Sequence, residues 1–418
     1  MKHVLLINHY AVPPSSAGGS RHYSLAKGLI PHGWKMTIVA AGVNHHSGES
    51  YLAPSEVCRV DRSAGVDFVW LKTNSGSNSR QGLSRIIGML CFAWRVIRLN
   101  PEVLPSGPRP SVVIGSSVHP FAALAGWVLA CRLRAQFIFE VRDLWPETLV
   151  TLGKLRPNSP VVIFLYWIEG FLFNRAQFII SPLPRVFSYV QDRTGSSVKV
   201  RVIPNGIDLQ AADAERHSAL PIPPSPWRYT VLYVGSMGNG NDLTTLLTGF
   251  KLFQIANPLM DVGLRLVGGG PFRPALEKLV SVENIHNVEF YPSVPHTAVP
   301  SLVTSADLLV ITVPNQPELY RFGVCANKFF DYLASGRPTL SANSASGDPI
   351  HESGGGLNVP SGDAASIADG MFRLLSASDQ DRQRMGELGR EFVTRKHDFR
   401  VIAAELRDVL DAAIQKSD

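Results

Sequence analysis

Cysteine is scarce: Cys58, Cys91, Cys131 and Cys325 are scattered, with no CxxC pair. That spacing fits neither a disulfide framework nor a zinc site and points to a reduced, cytosolic setting. Neither G-x-G-x-x-G nor G-x-x-x-x-G-K-[ST] occurs, which counts against a dehydrogenase or an ATPase. No metal-ligating constellation stands out, whether a DxD on a loop or the His/Cys spacing of a zinc site, so no cofactor or metal is expected. Low-complexity tracts are absent, and no apolar run reaches the roughly 18–20 residues that span a bilayer. The opening MKHVLLINHY turns polar too soon for a signal peptide and reads as a first β-strand.

What is present is an ordinary globular composition, 418 residues at 45% hydrophobic and 18% charged, long enough for two or three domains. The formal charge is +6. Between Asp67 and Glu102 stand Lys72, Arg80, Arg85, Arg95 and Arg98 and no acidic residue, around the apolar IIGMLCFAW (86–94). A second apolar run, VVIFLYWI, covers 161–168. Two readings stay open: attraction to an anionic membrane surface, or buried helices whose arginines face water. Nucleic acid is a weaker partner, because no basic-aromatic stripe accompanies the charge. The expected location is cytoplasmic, with peripheral attachment to the inner face of the plasma membrane.

Short apolar runs alternate with helical patterns over the first two hundred residues. Strands are predicted at 3–10, 35–41, 66–72, 111–117, 135–141 and 176–182. Nearly continuous apolar strands between helices imply a parallel sheet covered on both faces. Residues 209–227, rich in Pro, Ala and Ser, read as an interdomain linker. A second βα series follows, with strands at 228–236, 263–270, 287–293, 307–313 and 338–343. The expected organisation is an α/β chain of two doubly wound domains, 1–208 and 228–394. A terminal helix, 395–418, is expected to pack back on the first.

Ligands in open α/β sheets sit beyond the carboxyl ends of the strands. Gly18-Gly19, before a helix, allow close approach of phosphate to backbone N–H groups, or simply make a turn. His119 follows SVVIGSS where a strand gives way to a helix, so it either serves the cleft or caps that helix, and FEVRDLWPE (139–147) closes another strand with Glu140, Arg142 and Asp143. Charge there is either used at a cleft or tied up in a local ion-pair network. In the second half, VGSMGNGND (234–242) and VGGGP (267–271) are glycine turns after strands. The helix predicted over Asn327 to Ser335 carries Lys328 near its start and Asp331 one turn on. A helix N-terminus with a lysine suits a diphosphate, and the carboxylate suits ribose hydroxyls; an amphipathic helix with both charges in water is the alternative.

The motifs GGSRHYSLAKGLIPHGWKMTIVAA, FEVRDLWPE, VIPNGID, VLYVGSMG, LRLVGGGP, VPSLVTSADLLVI and FGVCANKFFDYLASGRP occur in the order found in glycosyltransferases of family 4. The chain most resembles the bacterial subgroup that includes N-acetyl-L-fucosamine transferases of O-antigen and capsule assembly. The resemblance implies a GT-B fold, two Rossmann-like domains facing a central cleft. It implies transfer of a sugar, an N-acetylated amino sugar in this subgroup, from a UDP-sugar to a lipid-linked or saccharide acceptor. Retention of configuration and independence from metal are implied as well.

By the same resemblance Gly18 and Gly19 face donor phosphate or acceptor, and His119 hydrogen-bonds the transferred sugar. Asp331 holds the ribose, while backbone near Val294 reads the base. Gly235, Ser236 and Asn241 lie where relatives place the diphosphate-binding loop with its Arg and Lys. Two departures are evident: Gly323 stands where the first Glu of E-x7-E belongs, and GSMGNGN has no basic residue. Lys328 and the amides of Val324 to Asn327 are expected to take over phosphate contact. Asp143 is expected to act as acceptor ligand or general base, oriented by a Glu140–Arg142 ion pair, with Trp145-Pro146 a stiff turn beside the acceptor. The rivals are a nucleotide-sugar 2-epimerase of the same architecture, a nicotinamide-dependent oxidoreductase and a non-catalytic scaffold.

Overall fold

A computed structural model describes every residue except 15–19, 45–47, 63–64, 74–82, 105–106, 197–198 and 416–418. The chain forms two compact units, Met1–Pro204 with Phe399–Asp418, and Asn205–Asp398.

The first unit is built on β1 (Lys2–Ile7), β2 (Trp34–Ala41), β3 (Cys58–Asp61), β4 (Asp67–Leu71), β5 (Val112–Ser116), β6 (Gln136–Glu140), β7 (Phe178–Ser181) and β8 (Val200–Val202). Their order in the sheet is β3-β4-β2-β1-β5-β6-β7-β8. All pairings are parallel except β3 with β4. Residues 3–7 of β1 are buried on both faces, which is why the run HVLLI shows no alternation. The terminal helix begins at Phe399, runs to Gln415 and belongs to this unit, where Ile402, Leu406 and Leu410 join Trp34, Phe68 and Trp70 in one core. Asp411 ties it down, accepting from Lys2 Nζ at 2.6 Å and Trp34 Nε1 at 3.1 Å.

The second unit contains β9 (Tyr229–Val234), β10 (Val262–Val267), β11 (Val288–Tyr291), β12 (Leu308–Thr312), β13 (Thr339–Ala342) and β14 (Gly356–Val359). Their order is β11-β10-β9-β12-β13-β14, parallel throughout. The order reverses between β9 and β12, the topological switch point at which open sheets of this kind bind ligands. One face packs on Phe250, Phe253, Ile367 and Met371, the other on Phe329, Phe330, Tyr332 and Leu333.

Residues 209–227, expected to be a linker, are instead part of the second unit. Leu209–Glu215 is a helix whose N-cap, Asp208, accepts from Ala211 N at 3.1 Å. Leu209 and Ile222 are buried, and the carbonyls of Pro223 and Pro224 accept from the buried Arg265 at 2.7 and 3.0 Å. The proline-rich composition serves a fixed strap that satisfies a buried guanidinium.

Candidate active site

In the second unit β9 and β10 both end in glycine turns that press on each other. A Cβ on Gly268 would stand 1.9 Å from the Gly235 carbonyl oxygen, so only glycine allows this approach. The turns are then laced by Gly235 N–H to Val267 O at 3.0 Å and Met237 N–H to Gly269 O at 2.8 Å.

Beside them the helix Asn327–Ser335 starts without a side-chain cap, leaving its first N–H groups to another acceptor. Its apolar Phe329, Phe330 and Leu333 fix which face is buried. Lys328 is thereby aimed at the β9 turn, where Nζ donates to Tyr233 Oη at 3.0 Å and to Asn241 Oδ1. Both partners are oriented by Ser236 O, which accepts from Tyr233 Oη at 2.7 Å and Asn241 Nδ2 at 2.9 Å. Asn241 thus positions the lysine. No carboxylate pairs with Lys328 among the described residues. Burial pushes its ammonium down to about 7. A neutralisable cation with no carboxylate partner among the described residues, next to a helix start without a side-chain cap, is an arrangement that a phosphate would complete.

Asp331, one turn further, faces His296, whose Nε2 is 3.7 Å from Oδ1. The carboxylate holds this imidazole above its ordinary value. Val294, two residues before His296, is partly buried against the core of the unit. Asn327 is exposed at the helix start, and Gly323 takes up a positive φ of 99°.

In the first unit the carboxyl ends of β1, β5 and β6 gather a buried polar network. His119 caps the helix Pro120–Leu133, its Nδ1 accepting from Ala122 N at 3.2 Å. Nδ1 therefore carries no proton, and Nε2–H donates to His9 Nδ1 at 2.9 Å; this tautomer is assigned from the partners. Both rings are buried. Burial, then the neighbouring His9, hold His119 well below the usual histidine range, so it is neutral. His119 was expected to offer a nitrogen to the transferred sugar, yet both of its nitrogens are engaged and the ring is fully covered. The reason is local: the strand ends at Ser116, and the helix that begins at Pro120 takes its cap from His119.

The Glu140–Arg142 ion pair is not formed. Glu140 points to the face covered by the helix Arg21–Leu29 and accepts from His22 Nε2 at 2.7 Å and Arg21 Nε at 3.3 Å. Arg21 also reaches the carbonyls of Ile203 and Pro204, and His22 Nδ1 accepts a hydrogen bond from Asn8 Nδ2 at 3.2 Å. Burial opposes the charge on Glu140, but His22 and Arg21 keep it ionised, its carboxyl well below the usual range. Neither the pair with Arg142 nor a local network of the three charges is formed: the partners of Glu140 lie 118 and 119 residues away.

Asp143 lies past the strand, where the chain has turned away from that network, and the residue is exposed. Although part of the residue is exposed, desolvation of its carboxyl by the surrounding protein pushes it up, against Arg142 and Arg85, a direction that suits a proton acceptor. Arg142 N–H donates to Ser117 Oγ, and Ser117 Oγ to Asp143 O, each at 3.2 Å. Trp145 is half-buried and precedes a cis Pro146. Gly18 and Gly19 lie outside the described residues. Sequence reasoning missed His9, Arg21, His22, Tyr233 and His296. Of these only His9 carried a legible signal, its place just past the first strand.

Comparison with known proteins gives a consistent family. A glycosyl transferase 4-like domain matches residues 17–206, and a glycosyl transferases group 1 domain matches residues 228–377. Over 238 residues the chain is 26% identical to the GDP-mannose-dependent alpha-(1-6)-phosphatidylinositol monomannoside mannosyltransferase of Mycobacterium tuberculosis, covering 54% of this chain. The match spans only 60% of that relative's length. Sucrose-phosphate synthase from Thermosynechococcus elongatus superposes over all of both chains, with TM-score 0.73 at 18% identity. HepE of Anabaena, in complex with UDP and glucose, gives 0.69 at 14% identity over 99% of this chain and 100% of that one. At such identities the likeness shows the fold: two parallel-sheet α/β domains of GT-B type.

Proposed function

We propose that this chain, which belongs to the glycosyltransferases of GT-B fold, transfers a sugar from a UDP-sugar to a lipid-linked or saccharide acceptor. The transferred group is an N-acetylated amino sugar, moved with retention and without a metal, in bacterial surface polysaccharide synthesis. The observation that carries the donor half is Lys328, a cation with no counter-ion beside a glycine turn and an uncapped helix start. UDP is preferred because HepE binds it; GDP is the competitor, from the printed dependence of the mycobacterial relative. The ordered motifs shared with the fucosamine-transferase subgroup support the amino sugar.

Lys328 and the amides of residues 324–327 receive the diphosphate, and as the glycosidic bond breaks they stabilise the charge growing on it. Removing one such donor typically costs about 10²–10³-fold in rate. Asp331 accepts the ribose hydroxyls, exchanging His296 for the ligand. On the acceptor side Asp143 is the carboxylate with a raised proton affinity outside the buried network, and Trp145 flanks it. His119 acts through its bond to His9, so one of the two rings must turn before either meets a sugar hydroxyl.

Calorimetric titration with UDP, GDP and NAD, without added metal, tests the donor half. Micromolar binding of one nucleoside diphosphate, lost in Asp331→Ala, is expected. Binding of NAD alone, or of none, would overturn it.

A further inference from the structure

We propose that the outer faces of the helices Leu83–Ile97 and Pro160–Arg175 dock on the surface of an anionic phospholipid bilayer. Each of these helices is apolar on two opposite sides. The first buries Met89, Phe92 and Val96, and on its other side exposes Ile86, Ile87, Leu90 and Trp94, within an arc of about 100° at 3.6 residues per turn. The second buries Leu165, Ile168 and Leu172 and exposes Val161, Ile163, Phe164 and Trp167. Trp94 and Trp167 are 57% and 62% exposed, far more than a large ring needs for packing on its own unit. Both helices flank the helix Pro120–Leu133, so their bare sides belong to one layer. Contiguous exposed apolar surface of this kind marks an interaction site.

Charge identifies the occupant. The first helix has no acidic residue, and the only one on the second, Glu169, is buried on its inner side. Arg85, Arg98, Arg132 and Arg175 are exposed. Arg98 lies over Trp94 at 4.9 Å, and Arg175 over Phe171 and Trp127 at 5.3 and 5.9 Å. Trp167 stacks with Phe164 and Phe171 at 6.1 and 5.9 Å, and Phe171 meets Trp127 edge-on at 4.7 Å. Tryptophan with arginine, without exposed acid, is the composition of a helix lying in the headgroup region. A second copy on the same face would set like charges against each other, whereas anionic lipid complements them. Among the described residues no helix is long and apolar enough to cross a membrane, so the helices lie flat. The inference stands on these faces alone; joined to the transferase reading, it says on which surface a lipid-linked acceptor is met.

Co-sedimentation with phosphatidylcholine vesicles, with and without phosphatidylglycerol, tests it on the full chain. Binding to the phosphatidylglycerol vesicles at low salt, falling steeply with salt and weak on phosphatidylcholine alone, is expected. Trp94→Glu and Trp167→Glu should each weaken it by more than about tenfold, and Arg98→Glu or Arg175→Glu by about fivefold. Circular dichroism and UDP titration of the same variants should match the parent. No binding at low salt, equal binding to both vesicles, or binding indifferent to the tryptophan substitutions would overturn the inference. A dimer split by Trp167→Glu would overturn it too, in favour of a second copy. Because UDP titration is read separately, loss of vesicle binding alone leaves the transferase reading standing, and loss of UDP binding alone leaves this one.

Discussion

Raising the pH from 7 to 9 should weaken UDP binding by about fifty-fold, because Lys328, pushed down to about 7 by burial, loses its proton in that range. At pH 7 about half of the unliganded molecules carry the charge; at pH 9 about one in a hundred does. A bound diphosphate favours the ammonium and raises its proton affinity, so only the charged fraction binds tightly. The ratio corresponds to about 2.3 kcal/mol. The terminal phosphate of UDP, with a second ionisation near 6 as for other phosphoryl groups, changes little above pH 7. Calorimetry in paired buffers of different ionisation enthalpy reads both the affinity and the protons taken up. Uptake should approach one proton per UDP at pH 8 and vanish below about pH 6. Lys328→Arg, charged throughout, should flatten both curves. Affinity unchanged between pH 7 and 9, or the same slope in Lys328→Arg, would refute the reasoning.

The other expectations concern the first unit and His296. Glu169 is held by Tyr189 Oη at 2.9 and 2.8 Å, and burial pushes its carboxyl from 4.5 up to about 8. The native state therefore binds the extra proton, and stability should fall as pH rises from about 4.5 to about 8, by roughly 5 kcal/mol in all; urea unfolding of Glu169→Gln should show that slope removed. Glu140→Ala leaves the buried Arg21 without its counter-ion and should cost about 3–5 kcal/mol in the same assay. His9→Phe strands the Nε2–H of His119 and should cost about 1–3 kcal/mol of stability, with a lower kcat and a nearly unchanged KM for donor. NMR titration should find His296 above its ordinary value, returning toward it in Asp331→Asn and on saturation with UDP.

The interior of both sheets was legible because parallel strands covered on two faces read as continuous apolar runs. The strands that escaped, β3, β8 and β14, all lie at sheet edges. There CRVD, VRV and GLNV are partly solvated and show no such run. The linker was misread because proline and alanine have the same composition in a tether as in a strap pinned to Arg265. Site positions could be inferred at strand ends, for His119 and Asp143, and at a helix start, for Lys328. Their partners could not. Glu140 meets Arg21 and His22, and His119 meets His9, only because the sheet order brings β1 beside β5 and β5 beside β6. Spacing along the chain gives no sign of a pair 110 residues apart. A helix cap is the ordinary alternative for a histidine at a strand end, and His119 does spend one nitrogen on it.

Transfer itself is the most direct test. Labelled UDP-N-acetylhexosamines are incubated with the protein and a bacterial lipid extract without added metal, following both UDP release and label in the organic phase. The account predicts equal release and incorporation, abolished by Asp331→Ala and strongly reduced by Lys328→Met. Label recovered as the 2-epimer of the donor without acceptor, or no UDP released from any donor, would contradict it.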